Sequence, residues 1–469
     1  MCIIFTPKTN THHLKMFDRD IVKELKKWAE KPNRKPLILR GARQVGKTTA
    51  VNLFSKDFDQ YIYLNLEKEE QRGIFEKNLP FADFLTTLFI FFQKKRYAGK
   101  TLIFIDEIQN SPRAVALLRY FYEEANDLFV IAAGSLLERI FDRAISFPVG
   151  RVEYMALRPC SFREFLFATN NFQLVEMLEK PEVPEFLHTQ FNALFKKYAT
   201  IGGMPEVLDQ FSQNADITAL ETVYESLIQS YADDVEKYAG SSAQVQYIRH
   251  IISNVFGEAG TKVTFEKFGN SSYRSREMKE AFLALEKTML IKLIYPCTSA
   301  EFPLKPNLVR KPRLHILDTG LVNHSLQIIG QMMFNENISD SHRGIIAEHI
   351  VGQELLSSNF SITNDINFWV REKTDASAEI DYLITYNGKI IPIEVKSGSI
   401  GKLRSLHHFM EQSLQNIAVR VWQGAYSVEK VKTTSGTEFT LLNLPFYMVH
   451  RIQKELDKIM DNQNKQIAN

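Results

Sequence analysis

The fold of this chain is decided by Gly41 to Thr48, which read GARQVGKT and follow the apolar run Leu37 to Leu39. The stretch fits the pattern GxxxxGK[ST], and it stands between a predicted strand and a predicted helix. Its two glycines allow a tight turn whose backbone N–H groups face phosphate oxygens, and the helix N-terminus adds positive potential. The sequence therefore predicts a loop that binds nucleotide phosphates.

The residues of this loop have separate expected roles. Lys47 should reach the β- and γ-phosphates and support catalysis, while Thr48 should ligate Mg²⁺. The residues expected to contact the nucleotide are Gly41, Ala42, Arg43, Gln44, Val45, Gly46, Lys47, Thr48 and Thr49.

A second part of the same site is predicted at Thr101 to Glu107, which read TLIFIDE. Four apolar residues form a buried strand whose end delivers Asp106 to the metal. Glu107 is then the candidate base that orients the attacking water. Two acids after a buried strand can also mark an ordinary strand-to-loop transition, but their position after the phosphate loop favours the catalytic interpretation.

The next apolar run, Phe129 to Ser135 (FVIAAGS), places the hydroxyl of Ser135 at the carboxyl edge of the predicted sheet. Open α/β sheets bind ligands at that edge. Ser135 is therefore a candidate sensor of the γ-phosphate, and a Gly-Ser helix cap is the alternative.

The whole chain has the composition of a folded protein with several domains. It has 469 residues, 45% of them hydrophobic and 24% charged, and a net charge of only +2. At roughly 100 to 200 residues per domain, this length predicts about three units. The near-neutral charge means that any binding of nucleic acid must use local patches. The three cysteines are widely spaced, which indicates neither a disulfide framework nor a cysteine metal site and is consistent with a reducing cytoplasm.

The ends and the most apolar stretch predict no membrane segment. Phe84 to Phe92 (FLTTLFIFF) is too short to span a bilayer and predicts a buried helix. Residues 1–15 have no features of a secretory signal and are expected to form a loose arm. Both Met1 and Met16 are candidates for the first residue of the protein.

Several motifs together resemble a known family, the predicted AAA+ ATPases with a nuclease-like C-terminal domain. They are GARQVGKTT, TLIFIDEIQNSP, AAGSLLERI, the pair Gly150-Arg151 before ALRPCSFREF, and YATIGGMPEVL. The resemblance runs from about Arg19 to Leu406. It implies ATP as the nucleotide, a winged-helix segment and a C-terminal fold similar to archaeal Holliday-junction resolvases. It also implies that Arg151 senses the γ-phosphate, within the chain or from a neighbouring subunit, with Arg139 and Arg143 as competitors.

The C-terminal motif lies between Ala378 and Lys396, which read AEIDYLITYNGKIIPIEVK. Two strand-like runs meet at Asn-Gly, a strong hairpin signal. Glu394 and Lys396 share a strand face because alternate residues point the same way. With Asp381 they form a PD-(D/E)xK arrangement in which carboxylates hold Mg²⁺ and the lysine stabilises charge or orients a water. Upstream, Glu348 on a predicted helix is the candidate further acid. A solvated hairpin face is the alternative.

A basic helix face is the candidate contact for nucleic acid. In the stretch SSYRSREMKEAFLALEK, the apolar residues recur at helical spacing, while Arg274, Arg276 and Lys279 lie off that stripe. Such a face could contact phosphates, and a solvated surface is the alternative.

The predicted architecture is therefore α/β, with a P-loop parallel-sheet domain, a helical and winged-helix segment, and an α/β restriction-endonuclease-like domain. The expected units are an arm (1–15), an AAA+ ATPase domain (16–185), a helical lid or connector (186–240), a winged-helix-like domain (241–335) and a nuclease-like domain (336–469).

Two functions fit this organisation. One is an ATPase that couples ATP binding and hydrolysis to the binding or processing of branched or broken DNA. The other is a nucleotide-dependent switch or scaffold whose inactive nuclease-like domain binds a protein partner. A homo-oligomer is an expected state if an arginine acts between subunits.

Overall fold

A computed structural model describes residues 18–134, 148–214, 216–333, 340–363, 365–371, 378–398 and 403–468. Its N-terminal part contains the strands β1 (Leu37–Arg40), β2 (Gln60–Asn65), β3 (Thr101–Asp106), β4 (Phe129–Gly134) and β5 (Glu153–Ala156). All pairs are parallel, and the strand order is β2-β3-β4-β1-β5. The α/β pattern predicted for this part of the chain is confirmed.

Helices cover both faces of this sheet. In β1, Leu37 and Leu39 enter one hydrophobic core and Ile38 enters the other, because successive side chains of a strand point to opposite faces. The first core also receives α1 (Asp20–Ala29) and α2 (Lys47–Phe54), and the second receives α3 (Glu69–Glu76), α4 (Phe81–Phe91) and α5 (Pro112–Glu124).

The predicted buried helix is α4, which begins three residues earlier than Phe84. Five of its residues face the core, but Ile90 is 71% exposed and Phe91 44% exposed, so the last turn leaves the core. Within the described residues, no helix combines the length and apolarity needed to cross a membrane.

A helical segment follows the sheet. Its helices are α6 (Phe162–Ala168), α7 (Phe172–Glu179), α8 (His188–Ile201), α9 (Pro205–Asn214), α10 (Glu221–Asp233) and α11 (Val235–Tyr238). The turn between α8 and α9 begins at Gly202, whose φ of 73° suits glycine. Helix α9 then begins at Pro205, a residue favoured at helix starts. The motif YATIGGMPEVL thus spans the end of α8, this turn and the start of α9.

The middle of the chain combines helices with a small sheet. It contains α12 (Ser242–Val255), α13 (Ser275–Glu286), β6 (Ile291–Ile294), β7 (Pro296–Cys297), β8 (Arg313–Ile316), α14 (Thr319–Ser325) and α15 (Ile329–Met333). Strands β6 and β8 pair antiparallel, and Lys262 adds a bridge to Arg313.

The C-terminal part is built on a second sheet. Its elements are α16 (Asp340–Ser357), β9 (Asn367–Val370), β10 (Glu379–Tyr386), β11 (Lys389–Lys396), α17 (Arg404–Gln412), β12 (Ile417–Trp422), β13 (Ser427–Lys432), β14 (Glu438–Pro445) and α18 (Ile452–Ala468). The strand order is β13-β14-β12-β11-β10-β9-β7, so the middle segment contributes one edge strand. The hairpin predicted at Asn387-Gly388 is confirmed, and both residues have positive φ.

The parts of the chain share one hydrophobic core. The core on the first face of the N-terminal sheet continues through Phe162 and Leu285 to Ile350 and Ile393. Helix α16 packs against β11 and β8 and against α8 and α14. The backbone N–H of Ala156 in β5 also donates to the carbonyl of Phe360, 2.8 Å away. The N-terminal sheet is thus in direct contact with the segment that follows α16.

Candidate functional site

The phosphate loop connects β1 to α2 in the conformation that the sequence predicts. Gly46 has a φ of 91°, a region that glycine enters at little cost. A Cβ at Gly41 would lie 2.5 Å from the carbonyl oxygen of Leu157, so only glycine fits there. The loop also places the buried Lys47 where its Nζ donates to the carbonyls of Gly41 and Ala42, each at 2.9 Å. Burial lowers the pKa of Lys47, and the nearby Glu107 and Asp106 oppose that shift.

The end of β3 brings the two predicted acids to this loop. Thr48 donates its hydroxyl to Asp106 Oδ2 at 2.7 Å, and Tyr63 donates to the same oxygen at 3.3 Å. Burial raises the pKa of Asp106, while the hydrogen bond from Thr48 lowers it. Thr48 and Asp106 are therefore adjacent, as a shared Mg²⁺ requires.

Glu107 stands one residue further, in a left-handed conformation with a φ of 53°. Its carboxylate accepts a hydrogen bond from the side-chain amide of Gln109. Gln109 Oε1 is buried without a partner among the described residues, and it lies against Gly134 at the end of β4. Gln109 therefore orients Glu107 at the carboxyl edge of the sheet.

Arg19, which the sequence analysis did not single out, holds the phosphate loop through a hydrogen bond to its backbone. Its NH1 group donates to the carbonyl of Val45 at 2.9 Å, and its Nε pairs with Glu164 at 3.0 Å. NH2 donates to the carbonyl of Arg158 at 2.8 Å. Arg19 and Glu164 are 3% and 4% exposed. The guanidinium of Arg19 thus connects the loop to α6 through charge-assisted hydrogen bonds.

The helical segment covers the other side of the loop. Arg43 forms an ion pair with Asp234 after α10, and Tyr231 donates its hydroxyl to the carbonyl of Arg43 at 2.9 Å. Ser230 donates to Gln44 Oε1 at 3.1 Å. These contacts hold the predicted lid against the loop residues that are expected to contact nucleotide.

Of the candidate γ-phosphate sensors, the structure describes Arg151. Ser135, Arg139 and Arg143 lie outside the described residues. Arg151 pairs through its Nε with Glu123 at 2.9 Å, in the last turn of α5. Its partly exposed side chain contacts no residue of the phosphate loop in the described part of the chain. A role for Arg151 on the nucleotide of a neighbouring subunit remains a prediction.

The C-terminal candidates come together on α16, β10 and β11. Asp381 Oδ2 accepts the backbone N–H of Val395 at 2.7 Å, and Lys396 donates to Glu394 Oε1 at 2.6 Å. Glu394 Oε2 is buried without a partner among the described residues, although Glu394 is only 5% exposed. Glu348 projects from the adjacent helix, where its backbone carbonyl accepts the hydroxyl of Tyr382 at 2.8 Å.

Burial, together with mutual charge repulsion, raises the pKa values of these acids. Burial raises the pKa of Glu348 to about 8, and repulsion by Asp381 adds to the shift. Burial and the same neighbour raise the pKa of Glu394 to about 7. Burial also raises the pKa of Asp381, which Arg313 opposes. The nearby cationic side chains therefore do not fully balance the negative charge of these acids.

Arg313 of β8 is the main cation at this cluster, and the sequence analysis did not select it. Its NH1 group lies 3.5 Å from Glu348 and donates to the carbonyl of Asp381 at 3.0 Å. Its NH2 group pairs with Glu379, which also pairs with Lys262. All four residues of β8 are buried. Arg313 and His315 alternate with Leu314 and Ile316 in this strand, and that alternation is the signal that would have indicated a polar face.

The donor set fits a hard divalent cation in part. Carboxylate oxygens are the ligands that Mg²⁺ prefers, and the partnerless Glu394 Oε2 and the raised pKa values both favour an added cation. No group of three or more acidic, histidine or cysteine side chains in the described ranges is arranged to hold a metal ion. Asp381 and Glu394 are therefore the two candidate ligands, and Glu348 is engaged by Arg313.

The candidate nucleic-acid face is exposed. Met278, Phe282 and Leu285 of α13 are buried, as predicted. Arg274, Arg276 and Lys279 lie off that stripe, and Arg276 is held weakly by Glu280 at 3.3 Å with 89% of its side chain exposed. This exposed placement is compatible with both interpretations of the face, a contact with nucleic-acid phosphates and a solvated surface without a partner.

The fold and the phosphate loop together define the N-terminal part as a P-loop, ATPase-like domain. Residues 33–166 match an AAA domain. Residues 192–331 and 343–447 match two domains of unknown function, DUF8612 and DUF4143.

One curated relative is the uncharacterized protein MJ1637 of Methanocaldococcus jannaschii, which is 24% identical over 309 residues. The match covers 61% of this chain and 62% of that relative, less than two thirds of its length.

Solved structures are similar at low identity. The Walker-type ATPase PABY2304 of Pyrococcus abyssi is 17% identical with a TM-score of 0.45, and the match covers 66% of this chain and 96% of that one. The Orc1 protein of Aeropyrum pernix in complex with DNA is 14% identical with a TM-score of 0.28, covering 66% and 90%. The RuvB Holliday junction branch migration motor of Thermotoga maritima is 13% identical with a TM-score of 0.26, covering 59% and 90%. TM-scores this low establish no shared function.

Proposed function

We propose that this chain is an ATPase that couples ATP binding and hydrolysis to the binding or processing of DNA through its C-terminal part. In this proposal the C-terminal part has a PD-(D/E)xK nuclease-like fold, and α12, α13, β6 and β8 form a winged-helix-like unit. The units are those expected from the sequence: 16–185, 186–240, 241–335 and 336–469.

One observation carries the proposal: a continuous set of hydrogen bonds links the phosphate loop to the helix that bears Glu348. Arg19 bonds to Val45 in the loop and pairs with Glu164 of α6. At the start of α6, Phe162 donates its backbone N–H to Glu354 Oε1 at 2.9 Å. Glu354 lies on α16, six residues after Glu348.

This link gives the coupling a physical basis. Glu354 is fully buried, and Tyr198 of α8 donates to the same Oε1 at 2.7 Å. A shift of the loop that moved Arg19 would displace α6 and then α16, since buried charged groups tolerate little loss of their partners. The position of Glu348 relative to Asp381 would then depend on the nucleotide state.

At the ATPase site, Thr48 and Asp106 would hold Mg²⁺, which neutralises charge that develops on the phosphates. Lys47 would bind the phosphates, and Glu107 would orient the attacking water with Gln109 holding its carboxylate. At the C-terminal site, Asp381 and Glu394 would hold Mg²⁺, and Lys396 would stabilise negative charge next to Glu394.

A second function is favoured by one specific observation. Arg313 already pairs with Glu348 and Glu379, so protein cations occupy part of the acidic cluster. This arrangement supports the alternative in which the C-terminal part is an inactive nuclease-like fold. The chain would then act as a nucleotide-dependent switch that recruits a protein partner.

Strand cleavage separates the two functions. The full chain is incubated with Mg²⁺ and linear, flapped and four-way branched DNA, with and without ATP. Cleavage that is lost in Asp381→Ala and retained in Glu438→Ala, an exposed acid of β14, supports DNA processing. If neither DNA binding nor cleavage occurs in any condition, the switch function is favoured instead.

A further inference from the structure

The expected metal ligand Asp106 has a side-chain neighbour on the edge strand of the N-terminal sheet. Tyr63 of β2 donates its hydroxyl to Asp106 Oδ2 at 3.3 Å. Strand β2 is the first in the order β2-β3-β4-β1-β5, and it pairs in parallel with β3, which carries Asp106. The ATPase site therefore receives a polar group from a strand that the sequence analysis did not connect with it.

The strand register explains why this contact forms. Tyr63 lies directly beside Phe104, and Phe104 and Asp106 share a face of β3 because they are two residues apart. Neighbouring strands are about 4.8 Å apart, so the long tyrosine side chain reaches diagonally to the carboxylate. The ring of Tyr63 packs against Phe104 and Tyr61, with centroids 5.5 and 6.3 Å away. These contacts restrict the ring and hold its hydroxyl beside Asp106.

Three donors hold the carboxylate of Asp106. Thr48 donates to Oδ2 at 2.7 Å, the backbone N–H of Glu107 donates to Oδ1 at 3.1 Å, and Tyr63 is the third donor. Thr48 is itself an expected ligand of Mg²⁺. Among the donors that the described residues supply, Tyr63 is thus the one side chain that bonds to Asp106 without being an expected metal ligand.

Burial makes this hydrogen bond difficult to replace. Asp106 is 5% exposed, so little water can reach its carboxylate if a protein donor is removed. Tyr63 is half-buried, and its ring packs against the core that also contains α2. Groups that hydrogen-bond to a metal ligand fix its orientation, and their loss weakens metal binding. The hydroxyl of Tyr63 has the position that such a group requires.

We propose that Tyr63 is a positioning residue of the ATPase site, whose hydroxyl orients Asp106 so that the site binds Mg²⁺ together with ATP. The inference rests on the ATPase part of the proposed function and extends it by assigning a role to β2. Tyr63 acts through Asp106, whereas Lys47 and the N–H groups of the loop contact the phosphates directly. Loss of the hydroxyl should therefore weaken nucleotide binding in Mg²⁺ and leave binding without metal unchanged.

The test measures the dissociation constant of a fluorescent nucleotide, N-methylanthraniloyl-ATP, from the full chain in Mg²⁺ and in EDTA. Tyr63→Phe keeps the ring and removes the hydroxyl. Its constant in Mg²⁺ should rise roughly three- to tenfold, the effect of one hydrogen bond, while its constant in EDTA stays at the wild-type value. Tyr61→Phe is the matched control, because its hydroxyl donates to Asn52 Oδ1 of α2 at 2.6 Å. Both of its constants should equal those of the wild type.

A double variant tests whether the hydroxyl acts through Asp106. In the Asp106→Asn background, Tyr63→Phe should change neither constant, because the charged ligand that it orients has been removed. The inference is overturned if Tyr63→Phe matches the wild type in Mg²⁺, if it loses as much affinity in EDTA as in Mg²⁺, or if Tyr61→Phe has the same effect. A wild-type protein that binds no nucleotide in either condition would instead overturn the proposed ATPase function, and this inference with it.

Discussion

The backbone N–H of Phe162 and the carboxylate of Glu354 form a 2.9 Å hydrogen bond between residues 192 positions apart in sequence. The bond connects the start of α6 in the N-terminal part to α16 in the C-terminal part. Glu354 is completely buried, its Oε2 has no partner among the described residues, and burial raises its pKa to about 7. We therefore expect the connection between the two parts of the protein to depend on pH.

We expect Glu354→Gln to flatten the pH dependence of stability. Because the folded-state pKa is raised from 4.5, the folded state retains a proton between pH 4.5 and about 7 that the unfolded state loses. The free energy of unfolding of the wild type should therefore fall as the pH rises through that window, by up to about 3 kcal/mol from this group. Urea unfolding at pH 5 and pH 8 measures the difference. Equal pH dependence in both proteins would contradict the assignment.

Arg19→Met should destabilise the protein and weaken nucleotide binding. The substitution leaves Glu164 buried without its ion-pair partner, which costs about 3 kcal/mol, and it frees the carbonyl of Val45 in the phosphate loop. Denaturant unfolding and titration with a fluorescent ATP analogue measure the two effects. The double variant Arg19→Met, Glu164→Leu is the control, because it removes the orphaned charge and should recover part of the stability but not the affinity.

Glu107→Gln should separate nucleotide binding from hydrolysis. The amide keeps a polar group beside Gln109 but cannot act as a base, so ATP hydrolysis should fall by about 100-fold or more while ATP affinity stays near the wild-type value. Steady-state phosphate release and equilibrium binding are the measurements. Glu70→Gln, at an exposed acid of α3, should leave both unchanged. A Glu107 variant with full activity would remove this residue from the site.

Mg²⁺ should bind the acidic cluster more tightly as the pH rises. The pKa of Glu394 is raised to about 7, so near neutral pH a metal ion held by Asp381 and Glu394 must displace the proton of Glu394, and its charge also favours loss of the proton from the neighbouring Glu348, whose pKa is raised to about 8. The affinity should increase by up to about tenfold per pH unit between pH 6 and 8 for each displaced proton. Calorimetry measures this trend in the Lys47→Ala variant. In this variant the phosphate loop should bind nucleotide, and the metal ion that accompanies it, less tightly. Asp381→Asn should remove it, whereas a pH-independent affinity would argue against a metal at these acids.

Local signals in the sequence predicted the parts of the structure that depend on neighbouring residues. The phosphate loop, the buried strand before Asp106 and the hairpin at Asn387-Gly388 each rest on residues within one or two elements, and the structure places them as expected. Short spacing is enough in such cases because strand and helix geometry fixes which side chains share a face.

Long-range polar contacts were not predictable in the same way. Arg19 pairs with a residue 145 positions away, and Arg313 reaches Glu379 across 66 positions. Neither partner can be selected from spacing, since the contact depends on how the two sheets pack. Arg313 did carry a weaker signal, since it and His315 alternate with the apolar Leu314 and Ile316 in one short strand. Glu354 carried one as well, since it interrupts the apolar face of α16 beside the buried Ile350 and Val351.

The hydrogen bond from Ala156 to Phe360 has a consequence for attempts to divide the protein. Strand β5 is the last strand of its sheet, and the backbone after α16 covers part of that side. Removing everything after α15 would leave an open strand edge together with the apolar surface that α16 buries. Such edges recruit further strands, so the isolated N-terminal part should self-associate or aggregate. The ATPase-like part is therefore best studied within the intact chain.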